Sequence, residues 1–305
     1  MRHATSLVCI IWLLIFFNAC SQGYSPLPGK ERQENDSKNH VASPTRESYP
    51  DDQTQSEDSP GKSEGDTTNS NDAELGGQSE KSALSRAKWP LETKVICIDP
   101  GHQSRMERTK VPVAPLASLM MPNFSIGTKG ITSGAYEYSI TLEVAQKLEQ
   151  GLKKLGARVI LTRNNQDEMV GSEKRAQIGN QANADILISL HCDGIEDPQI
   201  YGLSVLYPGD KYIEDQKMLE KSLALSKAIL VNTVSAANAK DRGLSQRNTL
   251  IVFNYSKIPV TLIEMGFLTN PQEDKLLNSE EYQNKLVKGM INGIQEYFES
   301  PEAQD

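Results

Sequence analysis

Cysteine and histidine are both scarce in this chain of 305 residues, which contains four of each. Cys9 and Cys20 lie in an apolar N-terminal stretch, so Cys97 and Cys192 are the two left for a folded domain. Two cysteines form no disulfide framework in a domain of this size, and neither has the CxxC spacing of a thiolate zinc site. Cys97 lies within an apolar run, and we expect it to be a small buried hydrophobe.

Long hydrophobic runs and basic runs are absent as well. The longest apolar run, residues 7–17, falls short of the ~20 residues that cross a bilayer as a helix, but it suits the core of a signal peptide. We therefore predict that residues 1–20 are a signal peptide and that the protein is exported. No cluster of Lys or Arg is interleaved with aromatic residues, so nucleic acid is not expected as a partner.

Cys20 ends this leader directly before a polar stretch, which resembles the lipobox of bacterial lipoproteins, where such a cysteine is acylated. Phe17 departs from that motif, which usually has Leu there, and ordinary cleavage after Ala19 or an uncleaved anchor are the alternatives. Residues 21–88 carry 13 acidic and 8 basic residues and almost no aliphatic ones, so they predict a disordered acidic tether. A lipid anchor at Cys20 would hold the chain on the outer face of the cytoplasmic membrane.

Residues 89–300 alternate between apolar runs of β type and amphipathic helical segments. Such alternation predicts one α/β domain with a six-stranded, mostly parallel sheet and helices on both faces. The Pro- and Gly-rich stretch 103–133 has no clear period and predicts a long loop over the sheet edge. The predicted strands are Val95–Asp99, Arg158–Thr162, Asp185–Leu190, Leu203–Tyr207, Thr249–Phe253 and Val260–Glu264, and the predicted helices are Tyr138–Leu155, one from Ser172, Gln216–Ser235 and Glu281–Phe298.

Only two histidines lie outside the leader and the tether, and each ends a β-type run: His102 after VICIDPG and His191 after DILISL. A third such run, VTLI, ends at Glu264. The carboxyl ends of parallel strands meet at one sheet edge, where α/β folds place their sites, so we expect a shared metal site there. Hydrolytic zinc sites add a carboxylate to two imidazoles. The candidates are Asp99, Glu137, Asp193 and Glu264.

Glu264 is difficult to explain as a structural residue, because an ionised carboxylate at the end of a buried strand is costly without a cation, a metal or a donor. Pairing with an arginine is the structural alternative, and the available partners are Arg163, Arg175, Arg242 and Arg247. Glu137 stands in the first turn of a predicted helix, where its alternative role is to complement the helix dipole. The residues alone leave the third ligand open.

The order of four motifs resembles that of the zinc-dependent N-acetylmuramoyl-L-alanine amidases, which trim bacterial cell walls. The motifs are IDPGHQ with His102, YEYSITLEVAQKLEQGLKKLGARVILTR beginning near Glu137, SEKRAQIGNQANADILISLH with His191 and PVTLIEMGFLTNPQED with Glu264, and together they span about Lys94 to Tyr297. The resemblance implies that His102, Glu137 and His191 hold one Zn²⁺ and that Glu264 is the catalytic carboxylate. It also implies that peptidoglycan is the substrate. A zinc-activated water would cleave the amide between N-acetylmuramic acid and L-alanine of the stem peptide.

Two features depart from the family pattern. Asp193 stands where the family commonly has Asn, and its expected roles are to orient His191 from outside the ligand shell or to change the metal affinity. Asp99 is the other residue expected to support the ligands. The stretch between His102 and Glu137 is long, and we expect it to shape substrate access or to cover the site. The alternative functions are a zinc peptidase acting on stem peptides and a non-catalytic wall-binding lipoprotein, and the sequence identifies no activator protein.

Overall fold

The computed structural model describes residues 90–304, so the predicted leader and tether, with Cys20, lie outside the described residues. None of the helices within this range is long and apolar enough to cross a membrane. The strands are β1 Val95–Pro100, β2 Lys110–Pro112, β3 Met120–Pro122, β4 Arg158–Leu161, β5 Ile186–Asp193, β6 Leu203–Pro208, β7 Asp241–Arg247 and β8 Val260–Phe267. The helices are α1 Glu137–Lys154, α2 Ser172–Gln181, α3 Gln216–Ala237, α4 Ile251–Asn254, α5 Pro271–Leu277, α6 Glu280–Glu299 and α7 Pro301–Gln304.

Six of the strands form one sheet in the order β4-β1-β5-β8-β6-β7. The pairs β1 with β4, β1 with β5 and β5 with β8 are parallel, and so is β6 with β7. Only β6 and β8 pair in antiparallel fashion. This arrangement confirms the prediction of an α/β domain with a six-stranded, mostly parallel sheet, and it brings the carboxyl ends of β1, β5 and β8 to one edge.

Helices cover both faces of the sheet because its central strands are apolar on both sides. Ile96 and Ile98 of β1 pack into the larger core beneath α1, α3 and α6, whereas Cys97 faces the smaller core beneath α2 and α4. Cys97 is buried and free of a disulfide, as expected. Each aliphatic side chain that is fully buried in this way contributes about 1.5–3 kcal/mol. The two cores therefore pack against opposite faces of the sheet and leave its carboxyl edge uncovered by these helices.

One of the six predicted strands is wrong. The apolar run Thr249–Phe253 does not form a strand, because Ile251–Asn254 is the short helix α4. The actual strand is Asp241–Arg247, a polar segment that pairs only with β6 at the edge of the sheet. A short apolar run does not by itself distinguish a strand from a buried helical turn, and an edge strand needs few apolar residues. Helix α5 was not predicted.

The predicted loop 103–133 contains a small antiparallel hairpin of β2 and β3, in which Val111 pairs with Met121. The hairpin is anchored to the domain through Asn254, whose Nδ2 donates to the Val113 carbonyl at 2.9 Å. Its tip is apolar and exposed, with Leu116 fully accessible to solvent. The chain after the hairpin returns over the sheet edge to the start of α1.

Candidate metal centre

The structure brings the three predicted ligands together at the carboxyl edge of the sheet. Glu137 is the first residue of α1, and its Oε1 lies 3.2 Å from His102 Nε2 and 2.9 Å from His191 Nδ1. The two imidazole rings meet edge to face with their centroids 4.7 Å apart. One ligand atom from each of the three residues lies within 4.8 Å of the others. That spacing suits three ligands around one ion, for which metal–ligand bonds are about 2 Å long.

Hydrogen bonds to the backbone orient two of the three ligand candidates, His102 and Glu137. His102 Nδ1 lies 3.2 Å from the Ser125 carbonyl. Because a carbonyl can only accept, Nδ1 carries a proton, and Nε2 is the nitrogen that faces Glu137 and that would bind a metal once deprotonated. Glu137 Oε1 accepts from the Cys192 backbone N–H at 3.0 Å, and Oε2 accepts from the Thr128 N–H at 2.8 Å. The donor set of two histidines and one carboxylate fits a hydrolytic zinc site.

Glu137 is held as a carboxylate although it is buried, with 3% of its surface exposed. Burial alone would raise its pKa, but the His102 and His191 imidazoles outweigh that effect and hold the pKa of Glu137 well below its ordinary value. A metal ligand must be deprotonated, so the site keeps this side chain in the required form.

The glycine at position 127 is required by the close packing over the ligands. Its φ is +73°, and a Cβ added there would lie 2.4 Å from Glu137 Oε2 and 2.6 Å from the His102 ring. Only glycine combines that backbone conformation with that proximity at no steric cost. Sequence reasoning missed Gly127, and it also missed the backbone groups of Ser125 and Thr128. In the sequence, the glycine itself is the signal that could have indicated a close approach of this loop to the ligands, because glycine is favoured where the backbone lies close to other groups.

Glu264 lies beside the three ligands on the neighbouring strand β8, where its Cα is in register with that of His191. Its Oε2 is buried and has no hydrogen-bond partner. Burial raises the pKa of Glu264 well above its ordinary value, and the charges of Asp193 and Glu137 raise it further. Within residues 90–304 no arginine forms an ion pair with Glu264, so the structural alternative weighed from sequence is not what the structure contains.

Asp99 and Asp193, the two expected supporting residues, have different surroundings. Asp99 Oδ1 accepts from Arg175 Nη1 and from the Thr162 hydroxyl, both at 2.6 Å, and Oδ2 accepts from the Ser189 hydroxyl at 2.7 Å. It therefore reaches the ligands only through Arg175, whose Nη2 donates to the His102 carbonyl at 2.8 Å. The Asp193 carboxylate accepts from the Gly194 N–H at 2.7 Å, and its influence on the site is its charge.

Next to the two histidines lies a cavity of about 160 Å³. One wall is polar and includes Asp99, Arg175 and Ser189, and the segment that follows β3 closes one side with Asn123 and Phe124. The lining also has an apolar part, formed by Leu250, Ile251, Val252 and Leu262. A small group of a substrate can therefore enter beside His102 and His191.

The fold and the site together define an α/β domain with a two-histidine, one-carboxylate centre at the carboxyl edge of a parallel sheet. The family model for N-acetylmuramoyl-L-alanine amidase matches residues 96–296, so the chain belongs to that family. The match includes all three ligand candidates and Glu264.

Individual relatives agree with this assignment. The germination-specific N-acetylmuramoyl-L-alanine amidase of Bacillus subtilis strain 168 is 28% identical over 222 residues, which are 68% of this chain and 81% of the relative. The probable cell wall amidase LytH of Staphylococcus epidermidis is 28% identical over 69% of this chain, and this chain spans 60% of LytH. The CwlD amidase of Clostridioides difficile, solved in complex with the GerS lipoprotein, is 26% identical with a TM-score of 0.55, covering 68% of this chain and 98% of CwlD.

Proposed function

We propose that this protein hydrolyses the amide that joins N-acetylmuramic acid to L-alanine of the peptidoglycan stem peptide. The observation that carries the proposal is the meeting of His102, Glu137 and His191, from three distant segments, beside a Glu264 carboxylate that has a free buried oxygen. Membership of the amidase family agrees with it. In this proposal the three residues hold one zinc ion.

A zinc ion in such a site lowers the pKa of a bound water and polarises the scissile carbonyl. The chain's own contribution is to present the ligands ready for binding. Two backbone N–H groups donate to the Glu137 carboxylate, and the Ser125 carbonyl binds His102 at Nδ1, so that Nε2 is the nitrogen turned toward a metal. The ligands therefore need little reorganisation.

Glu264 is the proposed general base and acid. Its raised pKa makes it a stronger proton acceptor than an ordinary carboxylate, and its Oε2 is not occupied by a protein donor. Glu264 would take a proton from the attacking water and return it to the nitrogen of the leaving L-alanine, since the same group can serve both steps.

The finer features of the proposal concern where the enzyme acts. We propose that Cys20 is acylated and that residues 21–88 tether the domain to the outer face of the cytoplasmic membrane, within reach of the cell wall. Sequence supports this part, through the short apolar leader and the cysteine before a polar stretch. The complex of the CwlD amidase with a lipoprotein is compatible with an activator protein for this chain as well.

The test is product analysis after incubation of the purified protein with peptidoglycan. We expect stem peptides with a new free amino group on L-alanine, and glycan strands that keep intact lactyl groups. Cleavage inside the stem peptide would indicate the zinc peptidase instead, and binding to the wall without any new amino groups would indicate the non-catalytic lipoprotein.

Glu264→Gln is the variant that tests the proposed acid/base role. We expect the variant to bind zinc as the wild type does and to release stem peptides at least about a hundredfold more slowly, the usual scale for a lost acid/base group. Zinc content and product release are measured on the same preparation. Equal release by the two proteins contradicts the role of Glu264.

A further inference from the structure

Arg163, two residues after the end of β4, is fully buried and forms no ion pair among the described residues. Its side chain has no exposed surface, and among the described residues no carboxylate lies within ion-pair distance of it. Burial and the nearby Arg175 lower its pKa to about 10, although the charges of Asp99 and Glu168 oppose this change. Burying a charge without a counter-ion in contact is costly, and an apolar side chain of similar size would fill the space at a lower cost in free energy. The position therefore calls for an explanation other than packing.

The contacts of Arg163 are with the backbone on both sides of the metal centre. Nε donates to the Pro100 carbonyl at 2.9 Å. Nη2 donates to the Gly101 carbonyl at 3.0 Å and to the Tyr138 carbonyl at 2.6 Å. Gly101 immediately precedes His102, and Tyr138 immediately follows Glu137. A single nitrogen atom thus joins the neighbours of two ligand candidates that come from different elements.

Thr141 in α1 completes this bridge. Its hydroxyl donates to the Gly101 carbonyl at 2.9 Å and lies 3.2 Å from Arg163 Nη2. Arg175 also holds the turn through the His102 carbonyl, but it is neutralised by Asp99, and none of its hydrogen bonds reaches α1. The link between the turn and the helix therefore depends on Arg163 and Thr141.

The turn needs such a restraint because of the conformation of His102. Its φ is +62°, in the left-handed region that non-glycine residues rarely adopt. A strained conformation of this kind persists only where its surroundings fix it. Without the guanidinium, the carbonyls of Pro100, Gly101 and Tyr138 would lose a common donor, and the turn could move away from the first residue of α1.

We propose that Arg163 is a positioning residue, which sets the spacing of His102 and Glu137 by fixing the backbone next to each of them. The proposal rests on the metal site of the proposed function. It states that Arg163 acts on metal binding before any chemistry takes place. Replacement of groups that orient metal ligands typically weakens metal binding about 10–100-fold, and we expect a loss in that range.

The experiment compares the full chain with Arg163→Met, Arg163→Lys and a control, Gln283→Leu. Gln283 is a buried residue of α6 that faces α1. Its side chain accepts a hydrogen bond from Lys147 and donates one to the Leu277 carbonyl, and none of these groups belongs to the metal centre. Zinc dissociation constants are measured by chelator competition at a temperature where circular dichroism finds all the proteins folded. The visible absorption of the Co²⁺-loaded proteins reports the geometry of the ligands.

We expect Arg163→Met to weaken zinc binding about 10–100-fold and to change the Co²⁺ spectrum. Arg163→Lys should restore little, because one ammonium group cannot reproduce a guanidinium that donates to four carbonyls, those of Pro100, Gly101, Tyr138 and Asn165. Gln283→Leu should lower the thermal midpoint yet keep the zinc affinity and the spectrum of the wild type. A wild-type affinity and spectrum in Arg163→Met would overturn the proposal and leave Arg163 with a structural role only.

Thr141→Val keeps the test decisive if Arg163→Met does not fold. This variant removes the hydroxyl shared by Arg163 and Gly101, and we expect a smaller but measurable loss of zinc affinity; no loss would count against the proposal. The outcome is separable from that of the proposed function. A wild-type protein that binds zinc but releases no stem peptides contradicts the amidase activity and leaves the effect of Arg163 measurable, whereas a wild-type protein that binds neither metal overturns both.

Discussion

Glu137 and Glu264 are two carboxylates close to His191, and their surroundings shift their pKa values in opposite directions. Glu137 accepts two backbone N–H bonds and lies against two imidazoles, which hold its pKa low. Glu264 has an oxygen without a partner, and burial raises its pKa. The two side chains are chemically identical, but their environments suit them to different roles. Glu137 stays ionised and can bind a cation, whereas Glu264 can exchange a proton.

Glu137→Gln should have the largest effect, because it replaces the one anionic ligand, which lies against both histidines, with a neutral amide. We expect zinc affinity to fall by at least about a hundredfold, more than for a supporting group, and hydrolysis to fall to background. Zinc content after dialysis is the measurement, with Glu264→Gln as the matched control that keeps its metal. If both variants kept zinc equally well, the contrast between the two carboxylates would be wrong.

Asp99→Asn extends the comparison to a third buried carboxylate, whose two oxygens both accept hydrogen bonds. The substitution leaves the buried Arg175 without its counter-ion, and breaking such a pair costs about 3–5 kcal/mol of the free energy of unfolding. Chemical denaturation at neutral pH measures the loss. A change below about 1 kcal/mol would mean that Arg175 finds another partner.

The same pair predicts a pH dependence of stability. Burial raises the pKa of Asp99, but Arg175 and the hydroxyls of Thr162 and Ser189 outweigh it and hold the pKa below the ordinary value of 3.8. A depressed pKa in the folded state contributes stability that is complete above the unfolded-state value and is lost as the pH falls toward the folded-state value. The difference between wild type and Asp99→Asn should therefore stay constant above pH 3.8 and shrink below it. Denaturation curves over this range are the check.

Gly127→Ala should give the smallest of these effects and tests how tightly Glu137 is enclosed. The new methyl group would press on Glu137 Oε2 and the His102 ring in an unfavourable backbone conformation. We expect zinc affinity to fall about tenfold and the free energy of unfolding to fall by about 1–3 kcal/mol. Gly243→Ala is the control. Gly243 also has a positive φ, at +80°, but a Cβ added there would have no heavy atom within 4 Å. Equal zinc affinity in the two variants would show that the loop can move to accommodate the added methyl group.

Much of the fold could be predicted because apolar runs at strand spacing and amphipathic helical segments report burial directly. The runs ending near His102, His191 and Glu264 belong to β1, β5 and β8, and the long helices α1, α3 and α6 lie where their apolar faces indicated. The polar edge strand β7 escaped prediction, because an edge strand buries little and its sequence carries no apolar alternation. The apolar run at residues 249–253 contributes to α4 and not to a strand, and its Val252 and Phe253 pack into the smaller core.

Residue type and apolar pattern are local properties of the chain, so they are enough to predict which chemical groups end each central strand. What those groups contact depends on how distant segments pack. In the folded protein Glu264 Oε2 has no hydrogen-bond partner, whereas Glu137 lies against two imidazoles. Asp99 pairs with Arg175, and Arg163 donates to carbonyls from two different elements. Charge, burial and donor geometry at a site depend on segments far apart in the chain, and the packing of the sheet edge is what brings them together.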